Sequence, residues 1–338
     1  VSATIIRGDT RRLPLADASV DLIVTSPPYW ALRSYTDGGQ HYGGQIGAER
    51  TPAAYVDSLI ECTREWMRVL KPSGSMWINL GDKYSGAQAQ NFGGQSRAGA
   101  SSETWRLTNP KNTGIPAKSL MGLPWRYAIR CIDDLGLILR AEVIWSKPNG
   151  LPESVTDRVR RSHETWLHFT KEPRYFSAVD AIREPASDFA RPRNAVRTTP
   201  PPPGNRPRAM ADTVNPLGRL PGSVWEIATQ PLKAPAELGV DHFAAFPMEW
   251  PRRIVQGWSP TGGTVLDPFG GTGTTALVAS SLGRHGISVD MSADYCRLAA
   301  WRTTDLGQRA SAMQVARPPV QLAGQQDLFA IAAEKEGD

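Results

Sequence analysis

The chain has 338 residues, 40% hydrophobic and 21% charged, enough for a full α/β core with a smaller module. Lys and Arg outnumber Asp and Glu by 38 to 33, and the net charge of +5 is compatible with a polyanionic partner without requiring one. No stretch approaches the roughly 18 apolar residues of a membrane span, and the N-terminus shows no signal-peptide pattern, so a cytoplasmic protein without membrane contact is expected.

Cys62, Cys131 and Cys296 form no CxxC pair, which argues against a zinc site or a disulfide framework. In "HETWLH", His163 and His168 have the wrong spacing for one helix face, so no metal is expected.

Strand-like runs alternate with helical patterns, which predicts a parallel α/β sheet. "ATIIRGD" and "VDLIVTSPPY" read as the first two strands. The second ends in "TSPPYW", where two prolines lack the N–H groups a ladder needs. A helix follows: Thr51 caps it, Pro52 suits its first turn, and Val56, Leu59, Ile60, Thr63, Trp66, Met67 and Leu70 form one face. It is expected to stop at "KPSG", with "SMWINLGD" as the next strand.

Residues 85–118 are rich in Gly, Ser, Gln and Asn, and a loop of that length inside a domain tends to be functional or mobile. A helix over "LPWRYAIRCIDDLG" and strands at "LILRAEVIWSK" and "HETWLHFTK" come next. From Pro185 to Pro221 the composition shifts to Pro and Arg, with six arginines against Asp188 and Asp212. Composition alone favours a solvated linker there; the alternative is an extended basic segment that meets phosphates. A helix at "FPMEWPRRIVQGW", a strand at "GTVLDPFGG", a helix from Thr274, a strand at "GISVD" and a last helix over "SADYCRLAAWRTTDL" complete the pattern. The tail after about Arg317 reads as poorly ordered.

"LDPFGGTGTTALVAS" has strand–glycine-loop–helix form. Gly271, Gly273 and Ala276 fit G-x-G-x-x-G/A, and Asp290 ends the next strand 290 − 271 = 19 positions later. That arrangement binds a nucleoside, with the acid on the ribose hydroxyls. Asp267 before the loop would repel a pyrophosphate but suits the ammonium group of S-adenosylmethionine. About seventy residues follow Asp267, too few for the whole sheet, so a circularly permuted fold is expected.

"TSPPYW" before "DPFGGTGTT" resembles the β class of DNA amino-methyltransferases, which methylate an exocyclic base nitrogen with S-adenosylmethionine as cofactor. "VLKPSGSMWINLGD", "HETWLHFTKEPRYFSAVDAIREP", "GRLPGSVWEI" and "HFAAFPMEWPRRIV" support it in order, from about Thr4 to about Arg302. The resemblance implies a Rossmann-like methyltransferase sheet, circularly permuted, with a small inserted target-recognition region. The implied division is a first catalytic part at 1–184, the insertion at 185–240, a cofactor-binding part at 241–310 and a tail at 311–338. Catalysis is implied at Ser26, Pro27, Pro28 and Tyr29. Implied cofactor contacts are Asp267, Phe269, Gly271, Thr272, Gly273, Thr274 and Thr275 on the methionine side. Asp290 is implied at the ribose, Asp9 at the adenine amino group, and Phe246 and Pro247 beside the cofactor. Without the resemblance, Asp9 would read almost equally well as a turn cap.

A base amine is a poor nucleophile because its lone pair is delocalised into the ring. Acceptors on its N–H groups, here the Ser26 hydroxyl and the Pro27 carbonyl, would aim the lone pair at the methyl group, with Tyr29 as a stacking face for an extruded base. Ser in the first motif position is more like cytosine-N4 enzymes, so cytosine N4 is expected, with adenine N6 as the alternative. Arg191, Arg193, Arg197, Arg206, Arg208 and Arg219 are the candidate DNA contacts. The expected partner is double-stranded DNA, with a cognate restriction endonuclease or a solitary methyltransferase as alternatives, on a monomer or homodimer. An RNA methyltransferase and a non-catalytic DNA-binding protein on a decayed core are the competing readings; the intact tetrapeptide and glycine loop count against decay.

Overall fold

The computed structural model describes residues 2–32, 36–37, 40–41, 44–86, 110–150, 152–185, 215–232, 234–240 and 245–316. Most of the 85–118 loop, five of the six candidate arginines and the tail from residue 317 lie outside these residues.

In chain order the strands are β1 (Ala3–Arg7), β2 (Val20–Thr25), the two-residue β3 (Thr36–Asp37) and β4 (Gln40–His41), β5 (Leu70–Leu80), β6 (Ile138–Ser146), β7 (His163–Thr170), β8 (Val224–Glu226), β9 (Thr264–Asp267) and β10 (His285–Asp290). The main helices are α1 (Pro52–Val69), α2 (Leu123–Asp133), α3 (Glu249–Trp258), α4 (Thr274–Ser281), α5 (Ala293–Thr304) and α6 (Leu306–Met313).

Eight strands form one sheet in the order β1-β10-β9-β2-β5-β7-β6-β8, while β3 and β4 pair separately. The C-terminal strands β9 and β10 thus lie between the N-terminal β1 and β2, as a permuted chain requires. From β1 to β5 all neighbours are parallel. The parallel arrangement expected from the alternation of strands and helices is interrupted at β7, which runs antiparallel to both β5 and β6. The cause is local: β6 and β7 are joined by a hairpin loop with no crossover helix, so the chain returns in the opposite direction.

Helix α1 begins where its cap signals place it, with the Ala54 amide donating to Thr51 Oγ1 at 3.1 Å. Tyr55, Val56, Leu59, Ile60, Thr63 and Trp66 are buried on the sheet. Strand β5 starts at Leu70, earlier than predicted, and its pairing with β2 jumps from Val20–Leu70 to Leu22–Ser75. The "KPSG" segment is absorbed as an irregularity in the strand. A side chain on Gly74 would stand 2.9 Å from the Asp21 carbonyl oxygen, so the close approach there needs glycine. The last helix expected from the sequence, over "SADYCRLAAWRTTDL", is α5. A further helix not expected from the sequence follows it, with Asp305 ending α5 and capping α6 by accepting from Gln308 N at 2.8 Å.

Six of the eleven tryptophans pack in one cluster on the sheet face that carries α3: Trp77, Trp145, Trp166, Trp225, Trp250 and Trp258. Trp250 stacks on both Trp166 and Trp225 with ring centroids 4.9 Å apart. His168 lies flat on Trp77 at 4.5 Å, and burial pushes its pKa down to about 3, so it packs as a neutral ring. Trp250→Ala should therefore lower unfolding free energy by about 3–5 kcal/mol, measured by chemical denaturation.

Candidate active site

The loops following β1, β2, β5, β6, β9 and β10 emerge at one edge of the sheet, which is where open α/β sheets bind ligands. Strands β2 and β9 are neighbours there. Thr25, the last residue of β2, donates its hydroxyl to Asp267 Oδ1 at 2.7 Å. Thr275 donates to Asp267 Oδ2 at 2.9 Å, and the Phe269 amide to Oδ1 at 3.1 Å. The carboxyl is 1% exposed. Burial pushes its pKa up to about 6, although these three hydrogen bonds pull it down. Asp267 therefore ties the tetrapeptide strand to the glycine loop.

The loop turns on Gly271 (φ 48°) and Gly273 (φ 74°), in the left-handed region where glycine is unstrained. Its packing also demands Gly270, which the sequence motif did not single out: an added Cβ would lie 1.8 Å from Ser288 Oγ. Asp290 accepts from Gly271 N at 2.9 Å and from Ser292 N at 2.8 Å. Gly8 N donates to the Asp290 carbonyl at 2.9 Å, which brings Asp9 beside it. Asp9 is held by the Arg11 guanidinium at 2.8 Å. Burial raises its pKa, but the Arg11 hydrogen bonds and charge outweigh this and hold it below the ordinary carboxylate value.

Thr272 and Thr274 are buried, and their hydroxyls meet Arg302 Nη1 at 2.7 and 2.8 Å. Arg302 is 2% exposed, and burial lowers its pKa to about 10. The signal for this residue was a single arginine in the apolar run "LAAWR". Phe269 packs edge-on against Trp66 at 5.9 Å, on the α1 side of the sheet. Phe246 meets Trp166 edge-on at 5.7 Å in the tryptophan cluster, followed by the buried Pro247.

The tetrapeptide is tied to the centre of the sheet. Asn79 on β5 donates through Nδ2 to the Thr165 carbonyl at 3.3 Å, which turns Oδ1 toward β2. Ser26 Oγ donates to that oxygen at 3.2 Å. The Tyr29 hydroxyl lies 2.5 Å from Asn79 Oδ1 and 2.6 Å from Glu164 Oε2, two acceptors for its one proton. Burial, then the Glu164 charge, pushes its pKa well above the usual phenol value. Lys147 pairs with Glu164, and Tyr55 donates to the Pro28 carbonyl at 2.9 Å. The Tyr29 ring covers Gly81 so closely that a Cβ there would lie 2.6 Å from its Cε2. Asn79, Gly81, Lys147 and Glu164 sit in "NLGD", "WSK" and "HETW", strand segments whose sequence carries no motif that marks them for these roles.

Residues 20–300 match the DNA methylase family. The chain belongs to that family. The methylase is 36% identical over 315 residues to Type II methyltransferase M.SmaI of Serratia marcescens, covering 89% of this chain and 90% of that protein. It is 33% identical to Type II methyltransferase M.Cfr9I of Citrobacter freundii over 304 residues, covering 89% and 87%. Its fold is similar to that of the PvuII DNA methyltransferase (cytosine-N4-specific), with TM-score 0.61, 22% identity and coverage of 93% and 91%. It is also similar to a putative DNA modification methylase of Thermus thermophilus solved with S-adenosyl-L-methionine, with TM-score 0.51, 24% identity and coverage of 95% and 100%.

Of the arginines expected at DNA, Arg219 is described: it is exposed and pairs with Glu184 at 3.0 Å. Arg191, Arg193, Arg197, Arg206 and Arg208 lie outside the described residues.

Asp267 carries a pH signature with a defined sign. Its raised pKa means the folded state binds the proton more tightly than the unfolded one, so its contribution to stability falls as pH rises from about 4 to about 6. Measured as wild type minus Asp267→Asn, that contribution should decline by on the order of 3 kcal/mol across this window in urea titrations at stepped pH.

Proposed function

We propose that the methylase transfers a methyl group from S-adenosylmethionine to the N4 amine of a cytosine extruded from duplex DNA. The observation that carries this reading is the Ser26 hydroxyl, bonded to Asn79 at the end of the strand that Thr25 joins to Asp267. Ser26 commits its hydrogen to Asn79 Oδ1, so its lone pairs accept from the base amine. Serine in this position is also what separates the chain's motif from the Asp or Asn more frequent in adenine-N6 enzymes.

The donor set suits a nucleoside at the glycine turn. Asp9 lies just beyond β1 and Asp290 ends its neighbour β10, and two carboxylates accept hydroxyl and amino hydrogens while repelling phosphate. In this reading Gly271 and Gly273 admit the cofactor to the backbone, Asp290 takes the ribose, Asp9 takes the adenine amino group, and Phe246, Pro247 and Phe269 give apolar surface. Asp267, Thr272, Thr274 and Thr275 hold the loop in shape from behind. S-adenosylmethionine supplies an electrophilic methyl group on its sulfonium.

The chain's own residues prepare the nucleophile. Ser26 Oγ and the Pro27 carbonyl accept the amine hydrogens and favour a tetrahedral nitrogen. Tyr29, fixed by Asn79 and Glu164 and seated on Gly81, presents a flat ring to the base. Placement and hydrogen bonding carry the step, without a covalent base adduct.

Incubation with duplex DNA and S-adenosylmethionine, followed by nucleoside mass spectrometry, should yield N4-methylcytosine; N6-methyladenine instead would overturn the choice of base. Ser26→Ala should lower kcat about a hundredfold with cofactor affinity unchanged by calorimetry. Gly81→Ala, which displaces the Tyr29 ring, should lower kcat by about a hundredfold in the same assay while the fold persists by circular dichroism.

A further inference from the structure

The loop joining β6 and β7 opens at the catalytic edge, because β6 runs parallel to β5 and ends there. Its first residue, Lys147, pairs with Glu164, which bonds Tyr29. The loop's remaining acids are engaged. Glu153 chelates Arg158 at 2.6 and 2.9 Å and accepts from Arg161 N at 2.9 Å. Asp157 pairs with Lys118 at 2.6 Å. The Arg158 guanidinium also lies on the Tyr84 ring, 3.8 Å from its centroid, so the loop is braced against the exit of β5.

This bracing presents three unlike groups to solvent. Val159 is 86% exposed and Trp125, on α2, is 56% exposed. Arg160, next in the chain to Val159, is also exposed, with no hydrogen bond or ion pair to the described residues. All three line a cleft of about 190 Å³ that Asp82 and Thr165 also line. Thr165 follows Glu164, and Asp82 follows Gly81, so the cleft begins one residue from the groups that hold Tyr29. Asp82 is spent on the N-terminus of α2, accepting from Gly122 N at 2.9 Å and Leu123 N at 3.1 Å, with Arg161 3.6 Å away. Glu142 also lines the cleft, but four residues back along β6 from its end, further from the edge.

An arginine unpaired within the described residues, an exposed indole and an exposed valine on the catalytic edge match a nucleic-acid strand, which offers phosphates and flat apolar bases. We propose that residues 152–162 and the start of α2 form a DNA-contact surface, on which Arg160 pairs with a phosphate and Trp125 and Val159 pack on nucleosides next to the target base. This assignment rests on the proposed methyl transfer to DNA, and it adds a contact surface outside the Pro- and Arg-rich segment.

Fluorescence anisotropy with the full chain, a labelled duplex and S-adenosylhomocysteine at stepped salt concentrations tests it. Arg160→Ala should weaken binding about tenfold at low salt and reduce the slope of log affinity against log salt by about one. Trp125→Ala should weaken binding about tenfold and leave the slope unchanged. Both side chains are exposed, and unaltered S-adenosylhomocysteine binding by calorimetry reports an intact fold. Wild-type affinity and slope in both variants would overturn the surface; a wild-type chain that bound no duplex would overturn the DNA reading beneath it.

Discussion

One buried carboxylate links the two ends of this chain. Asp267 takes hydrogen bonds from Thr25 and Thr275, residues 242 and 8 positions away, and so joins the strand carrying the tetrapeptide to the helix behind the glycine loop. A charge this deep is costly unless each oxygen has a donor. Its two threonines and the Phe269 amide supply them, and the raised pKa records the cost that is left. The permuted order of strands puts β2 and β9 side by side, and this contact fixes their relative height at the edge where chemistry is proposed.

Around that link, polar residues form two separate supports. Asn79, Glu164 and Lys147 hold the tetrapeptide from the middle of the sheet, whereas Arg302 holds Thr272 and Thr274 from beneath the glycine loop. The first support depends on β7 running antiparallel to β5, which sets Thr165 opposite Leu80 and brings Glu164 to the same edge as Tyr29. The second depends on α5 packing closely enough that Gly273 admits nothing larger: a Cβ there would lie 2.7 Å from that of Ala299. Mobile side chains at either place would blur the positions of groups that are proposed to act by placement.

Much of this was legible from local chemistry. Thr51 and Pro52 announced α1, the apolar runs announced the strands, and the order of "TSPPYW" and "DPFGGTGTT" implied both the family and the permutation. The antiparallel return of β7 was not legible, because a hairpin between two buried strands leaves the same apolar pattern as a parallel pair. The β5 irregularity was hidden for a similar reason: "KPSG" carries stop signals, and only the pairing with β2 carries it into the strand.

The sequence by itself determined which residues are the candidates for chemistry, since the spacing of the glycines and Asp290 and the resemblance carried by Ser26 and Tyr29 set them apart. Tertiary structure decided which way their polar atoms face. Asp267, Thr272 and Thr274, read from the motif as cofactor contacts, turn inward to Thr25, Thr275 and Arg302, while Asn79 and Glu164, silent in the sequence, turn toward Tyr29. The physical reason is that a buried polar atom must find a partner, and the partner is chosen by whichever strand or helix the fold lays beside it.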